Sequence, residues 1–292
     1  MANFGPKDIK RLREMTDAGM MDCKQALSAT DGDMEKAQEW LRKKGLGAAA
    51  KKADKVAAEG AIIIKSDSNK AVMVEINSQT DFVAKNEKFQ TFANEVVEHA
   101  FANDFNSAEE LNASEINGQP FADYLALQIA TIGENLVVRR YAKVVTDGSV
   151  GSYVHANGRV GVIVSANKDG ADEALKNIAM HAAAMSPKYL NEASVDSETI
   201  EKEKEIAREQ LIKEGKPEAI LEKILPGKIK RFMQDNTLEN QKFVMDDKLS
   251  VAEYLAKEAD GAKLESFVRF ELGEGVEKVE EDFAAEVAKQ MA

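Results

Sequence analysis

Cys23 and the histidines His99, His155 and His181 are the side chains best suited to nucleophilic, acid–base or metal chemistry in this 292-residue chain. One cysteine makes no internal disulfide and no Cys-based zinc site within one chain. Three histidines argue against a His-rich metal site. Lys24 beside Cys23 would lower its thiol pKa slightly. However, no histidine lies in the first 55 residues to act as its base, so small-residue packing is preferred over a nucleophile. His181 sits in the apolar run IAMHAAAM and reads as a packed helix residue. His155 precedes Asn157-Gly158, a strong type I′ hairpin signal, and reads as a solvated turn residue. GLGAAAKK (45–52) is rich in glycine but follows a helix, so it lacks the context of a phosphate loop. Acidic runs such as Glu280-Glu281-Asp282 read as solvated faces. No catalytic set, metal site or cofactor site is expected. The chain reads as a binding protein, not an enzyme.

The segment that stands out instead is SQTDFVAKN (78–86), and an internal repeat exposes it. One copy runs GAIIIKSDSNKAVMVEIN (60–77) and the other GSYVHANGRVGVIVSAN (151–167). Each predicts a short strand, a tight turn and an alternating strand, with Val72, Val74 and Ile76 matched by Val162, Val164 and Ala166. Each then leads into a helix, through Phe89, Phe92, Val96 and Val97 or through Leu175, Ile178, Ala179 and Ala182. From Asn77 to Phe89 is 12 residues, whereas from Asn167 to Leu175 is 8, so the first copy holds four extra residues and the extra aromatic Phe82. Helical spacing to Phe89 allows Phe82 to pack in the core at the helix start. The repeat comparison favours a binding loop, because insertions at strand-to-helix junctions are where such loops sit.

The elements that must position this segment follow from charge and periodicity. Net charge is −12, from 39 Lys and Arg against 51 Asp and Glu, which argues against a nucleic-acid or anionic-membrane binder. Residues 1–55 carry 12 Lys and Arg against 9 Asp and Glu, a mildly basic head on an acidic body. The head predicts three short helices: one from Pro6 through Ile9, Leu12 and Met15, one from Met20, and one from Met34 that ends at Lys43-Lys44-Gly45. Residues 45–60 read as a linker with at most a helical turn or two. Between the repeats, residues 121–132 predict a helix and 136–145 a strand. Half of residues 196–231 are charged, with a narrow apolar stripe, and read as a helical hairpin ended by Pro226-Gly227. Its stripe must bury against a partner chain or against its own second arm. A short amphipathic helix then carries Ile229, Phe232 and Met233. Residues 267–272 suggest a further strand of the second repeat's sheet, and a terminal helix carries Phe283, Val287 and Met291. No apolar run reaches the ~18 residues that span a bilayer. The N-terminus lacks the apolar region of a signal peptide, so the cytoplasm is the expected compartment.

Three segments, MTDAGMMDCKQAL (15–27), SQTDFVAKNEKF (78–89) and RFELGEGVEKVEEDFAAEV (269–287), closely resemble bacterial translation elongation factor Ts. The resemblance covers essentially the whole chain in the same order. It departs at Asp17, where a small residue is usual, and at Lys242, where proline is usual. The resemblance implies an α+β fold: a ubiquitin-associated-like three-helix bundle with its linker (1–55), a duplicated core with antiparallel sheets (56–140, then 141–195 with 227–273), an inserted dimerisation-type hairpin (196–226) and a C-terminal helical module (274–292). It further implies a guanine-nucleotide exchange factor for the GTPase elongation factor Tu, contacting its G domain and a second domain, with a homodimer through 196–226 as a further expectation. Thr80, Asp81, Phe82 and Val83 match the segment that disturbs the partner's Mg²⁺ site. Met20, Met21, Ile132 and Gly133 match contacts to the G domain, and His155, Val244 and Met245 contacts to the second domain. The remaining alternative is a helical adaptor without exchange activity.

Overall fold

The computed structural model describes residues 3–16 and 18–277. The chain divides into two compact units: residues up to Ile63, Val74–Ala142 and the chain from Glu271 form one, and Ile64–Met73 with Lys143–Phe270 form the other.

The head is built from α1 (Pro6–Thr16), α2 (Met20–Ala29) and α3 (Met34–Ala50). Asp33 caps α3 by accepting the Lys36 N–H at 3.1 Å. Leu12, Cys23, Ala26, Leu27, Ala37 and Leu41 close the bundle core together with Leu127. Contrary to the sequence expectation, α3 does not stop at Gly45 but runs on to Ala50, and only residues 51–55 form a turn. A Cβ at Gly45 would lie 3.1 Å from Leu127 Cδ2 and 3.3 Å from the Leu127 backbone nitrogen. The missing side chain therefore lets α3 lie directly on the helix that carries Leu127. Arg42 pairs at 2.7 Å with the nearly buried Asp123 of that helix. Burial at this contact outweighs the roughly 1 kcal/mol that a glycine costs inside a helix.

The first repeat folds as β1 (Glu59–Ser66), β2 (Lys70–Ser78), a single turn α4 (Asp81–Ala84) and α5 (Glu87–Ala102). After α6 (Ala108–Asn112), β3 (Glu115–Ile116) and β4 (Gln119–Pro120) come α7 (Phe121–Ile132) and β5 (Val137–Val145). The second repeat folds as β6 (Ser149–Val154), β7 (Val160–Ala166) and α8 (Asp172–Met185). It is followed by α9 (Ser197–Lys213), α10 (Glu218–Asn236), β8 (Lys242–Phe243), β9 (Asp246–Ser250), α11 (Val251–Glu258) and β10 (Leu264–Glu271). The sheet orders are β1-β2-β5 and β6-β7-β10. In both, the second hairpin strand is central and its partner strand arrives after a long helical excursion. β6 and β7 pair antiparallel, from Ser149 opposite Ala166 to Val154 opposite Gly161. The fold is α+β, and the strand expected near 267–272 is β10.

Two further expectations are corrected. Type I′ turns need φ > 0 at both central residues. In the loop after β6 only Gly158 has that sign (φ 68°), so Asn157-Gly158 is not such a turn. The same dipeptide at Asn117-Gly118, with φ of 52° and 76°, is the left-handed pair, joining β3 to β4. Pro226-Gly227 does not end a helix either, because α10 passes through both residues to Asn236. The segment with Ile229, Phe232 and Met233 is its second half. Pro226 has no N–H for the Glu222 carbonyl, yet Leu221, Leu225 and Met233 are all buried along α10, and this packing carries the helix across the defect. The hairpin's apolar stripe is filled by its own second arm, Ala207 and Leu211 meeting Leu221, Ile224 and Leu225.

Residues 274–277 are turn and coil. Asp17, and the helix expected to carry Phe283, Val287 and Met291, lie outside the described residues. Among the described residues no helix is long and apolar enough to cross a membrane.

Candidate functional site

β2 ends at Ser78, and the chain then leaves the sheet. Thr80 caps the single turn α4, its hydroxyl oxygen accepting the Val83 N–H at 3.3 Å. Asn86 caps α5 separately by accepting the Lys88 N–H at 2.9 Å. The four residues 81–84 are thus a helical turn of their own and not the start of α5. This answers the question left open by periodicity. Ala84 faces inward, whereas Phe82 is 81% exposed. Phe89 and Phe92 fill the core without it. Asp81 and Lys85 pair at 2.8 Å on the surface, and the hydrogen bond from Lys85 holds the Asp81 carboxyl below its ordinary value.

Glu134 ties this loop to the end of α7. Its Oε2 accepts the N–H groups of Gln79 and Thr80, each at 3.0 Å, and its Oε1 accepts the Thr80 hydroxyl at 2.7 Å. Gly133 ends α7 in the left-handed conformation (φ 92°), and its carbonyl accepts from Lys52 Nζ at 2.6 Å. The Thr80–Val83 segment and the Ile132-Gly133 corner are therefore one hydrogen-bonded assembly. Met20 and Met21 are both exposed at the start of α2. Met20 borders a groove lined also by Glu87 and Thr91 of α5 and by Gln128 and Thr131 of α7.

In the other unit His155, Val244 and Met245 come together. They line one cleft with Tyr153, Val160 and Met180. Val244 and Met245 are the two turn residues of the β8–β9 hairpin, and both are exposed. Turns of this length favour Gly, Asn, Asp and Pro, so two apolar side chains at a tip point to a contact surface. Phe243, just before them, turns inward and stacks on Tyr254 at 3.9 Å between ring centres. The fully buried His181 holds the tip: its Nδ1 accepts the Val244 N–H at 3.1 Å, and its Nε2–H donates to Gln241 Oε1 at 2.9 Å. Burial pushes the His181 pKa down, opposed by the Gln241 bond, and the neutral ring makes both contacts. Lys242 opens β8 with an exposed side chain, at the first position of a strand where proline is also accepted.

Three contributors were not found from the sequence. Glu134 lies 54 residues from Thr80, and only its place after the helix-ending Gly133 hinted at it. The role of His181 depends on a partner 63 residues away. The third is the buried carboxylate of Glu75. It accepts from Arg139 Nη1 at 3.1 and 3.0 Å, from Arg140 Nε and from the Gly273 N–H at 2.9 Å. Arg140 also reaches the Glu271 carbonyl at 2.6 Å, so this cluster fastens the segment that leads toward the C-terminus.

Cys23 is fully buried, and burial pushes its thiol pKa up, the opposite of what an activated nucleophile needs. Its Sγ lies 3.7 Å from the Ala18 carbonyl in the bundle core. Among the described residues no group of three or more His, Cys, Asp or Glu is placed to hold a metal ion.

The family sequence model described as elongation factor TS matches residues 79–274. Elongation factor Ts of a Sulfurovum species is 52% identical, with all of both chains covered. That of a Nitratiruptor species is 54% identical over 97% of each chain. That of Halothermothrix orenii is 45% identical over 98% of this chain and 97% of its own.

Proposed function

The chain belongs to the elongation factor Ts family, and on that premise we propose that it is a guanine-nucleotide exchange factor for elongation factor Tu, acting in translation elongation. It binds the GDP form and speeds GDP release by pressing the Thr80–Val83 loop against the elements that hold Mg²⁺ and phosphate. The observation that carries this reading is Phe82, a large apolar side chain left 81% exposed on a capped turn that the core does not use.

A GTPase holds its nucleotide largely through Mg²⁺ bridging phosphate oxygens and through a cradle of backbone N–H groups. Shifting those elements loosens the nucleotide without making or breaking a bond, so the factor needs no acid, base or nucleophile of its own. In this reading Met20, Met21, Ile132 and Gly133 meet the G domain beside Phe82. His155, Val244 and Met245 grip a second domain of the partner. Linkage makes the effect reciprocal: nucleotide and factor weaken each other's binding to elongation factor Tu by the same factor. Self-association through residues 196–226 belongs to the same proposal and rests on Ile206, Ile212 and Ile220, which stay exposed on a hairpin whose own stripe is filled.

Release of labelled GDP from elongation factor Tu, with and without this protein, is the decisive experiment. Acceleration is expected, together with dissociation of the two proteins on adding excess GDP. Binding without any acceleration would leave only an adaptor.

A further inference from the structure

The exchange reading makes Phe82 the working side chain, and a ring that is 81% exposed is not aimed by core packing. Its direction is set by the backbone of a four-residue turn, and a helix that short does not hold itself in water. Three donors at its entrance, the N–H groups of Gln79 and Thr80 and the Thr80 hydroxyl, converge on the one carboxylate of Glu134. The exit is held as well, by the Asn86 N–H on the Val83 carbonyl at 2.9 Å and by Gln90 Nε2 on the Ala84 carbonyl at 2.5 Å. Glu134 is itself fixed on both sides. Lys52 holds the Gly133 carbonyl, and Asn135 Nδ2 donates to the Lys55 carbonyl at 2.8 Å.

Resting on that reading, we propose that Glu134 is a positioning residue for nucleotide exchange: its carboxylate locks the Gln79–Thr80 corner so that Phe82 enters the partner pre-aimed. Glu134 does not touch the nucleotide or the metal. It removes the ordering of the loop from the events at the interface, and preorganised contacts act with more force because less freedom is lost on docking. The carboxylate is needed because a single group must accept from three donors, two of them on one oxygen. A glutamine at this position keeps one accepting oxygen and brings an N–H₂ group toward other donors.

The test uses the full chain with elongation factor Tu bound to labelled GDP. Release rates are measured against factor concentration for Glu134→Ala, Glu134→Gln, Phe82→Ala and the Glu134→Ala/Phe82→Ala double variant, with urea unfolding alongside. Glu134→Ala is expected to lower the plateau release rate by about ten- to a hundredfold, with a smaller change in half-saturating concentration. Glu134→Gln recovers part of the loss. In the Phe82→Ala background, removing Glu134 changes little further. Wild-type release by a folded Glu134→Ala variant overturns the proposal. So does an equal fractional slowing with and without Phe82, since that places the effect elsewhere. If Glu134→Ala does not fold, Thr80→Val, which removes the hydroxyl bond and the cap, is read in the same cycle and by the same criteria. Wild-type release by Phe82→Ala has a different meaning: it defeats the loop reading itself, and this inference with it.

Discussion

The two strand-to-helix junctions of the duplicated core solve one problem in different ways. After β7, residues 167–171 stay close to the fold: Asn167 and Lys263 exchange backbone and side-chain bonds at 3.1 and 2.9 Å, Ala171 N–H donates to Ser149 Oγ at 3.1 Å, and α8 begins at once. After β2, residues 79–86 turn outward, form a capped turn of their own and present Phe82 before α5 starts. Leu175 and Phe89 are nonetheless buried alike at the start of their helices. Helix docking does not need the extra chain, so that chain is free to serve a partner. The two central strands differ in a related way. Between Val74 and Ile76 stands Glu75, locked to Arg139 and Arg140 of β5. Between Val164 and Ala166 stands Ser165, 2.8 Å from Ser266 of β10. One module cross-links its third strand with buried charge, the other with a hydroxyl pair.

Glu75→Ala should break this contrast most severely. It takes the buried carboxylate from Arg139 and Arg140, which keep their contacts to the 271–274 segment, and frees the Gly273 N–H, and removing one partner of a buried ion pair costs up to about 3–5 kcal/mol. Urea unfolding reads the loss. Phe82→Ala comes next and acts on activity alone. The variant keeps wild-type unfolding but releases GDP more slowly, because full burial of such a ring against the partner contributes roughly 1.5–3 kcal/mol, one to two decades in rate. A loss of stability with full activity would return Phe82 to the core. Ser165→Ala should cost only about 1 kcal/mol, the net value of a neutral hydrogen bond. If it matched Glu75→Ala in urea, the distinction between charged and neutral cross-links would be wrong.

Local pattern made the head, the repeat and the β10 strand legible, since each depends on apolar spacing within one segment. The outward loop was legible because the duplication supplies an internal control, which no isolated motif does. Helix ends were misread where tertiary packing overrode a breaker. Gly45 fits because Leu127 leaves no room for a Cβ, and Pro226 is carried by buried residues on both sides of it. Asn157-Gly158 and Asn117-Gly118 are the same dipeptide, yet only the second adopts φ > 0 at both residues. The short-range signal names a tendency, and the strands around it decide. Within the candidate site, the segments that carry the exposed Phe82, Val244 and Met245 were legible as motifs. Glu134, His181 and Glu75 were not, because what they do is defined by partners 54, 63 and 64 residues away.

The smallest expected effect separates the two helices at one matched position. With Leu175 aligned to Phe89, His181 of α8 corresponds to Glu95 of α5, whose carboxylate accepts the Tyr124 hydroxyl. The His181 imidazole is the side chain type whose ordinary range lies near neutrality. Its ordinary pKa is 6.5, and burial depresses it in the folded chain. The unfolded chain therefore takes up a proton at a pH where the folded one does not. The stabilisation is complete above about pH 6.5 and is lost as pH falls from there toward the depressed folded value. Burial depresses His99 in the same direction, so wild type alone does not isolate the effect, but the difference between wild type and His181→Gln does. Urea midpoints from pH 7.5 to 5.5 should fall less steeply in the variant. Protonating Nδ1 also removes the acceptor for the Val244 N–H. Binding through the Val244-Met245 tip should hold through that window and weaken only as pH falls through the depressed folded value, while a partner contact made by Phe82 alone should not weaken there. Equal pH slopes for both proteins would show that His181 holds the tip without sensing protons.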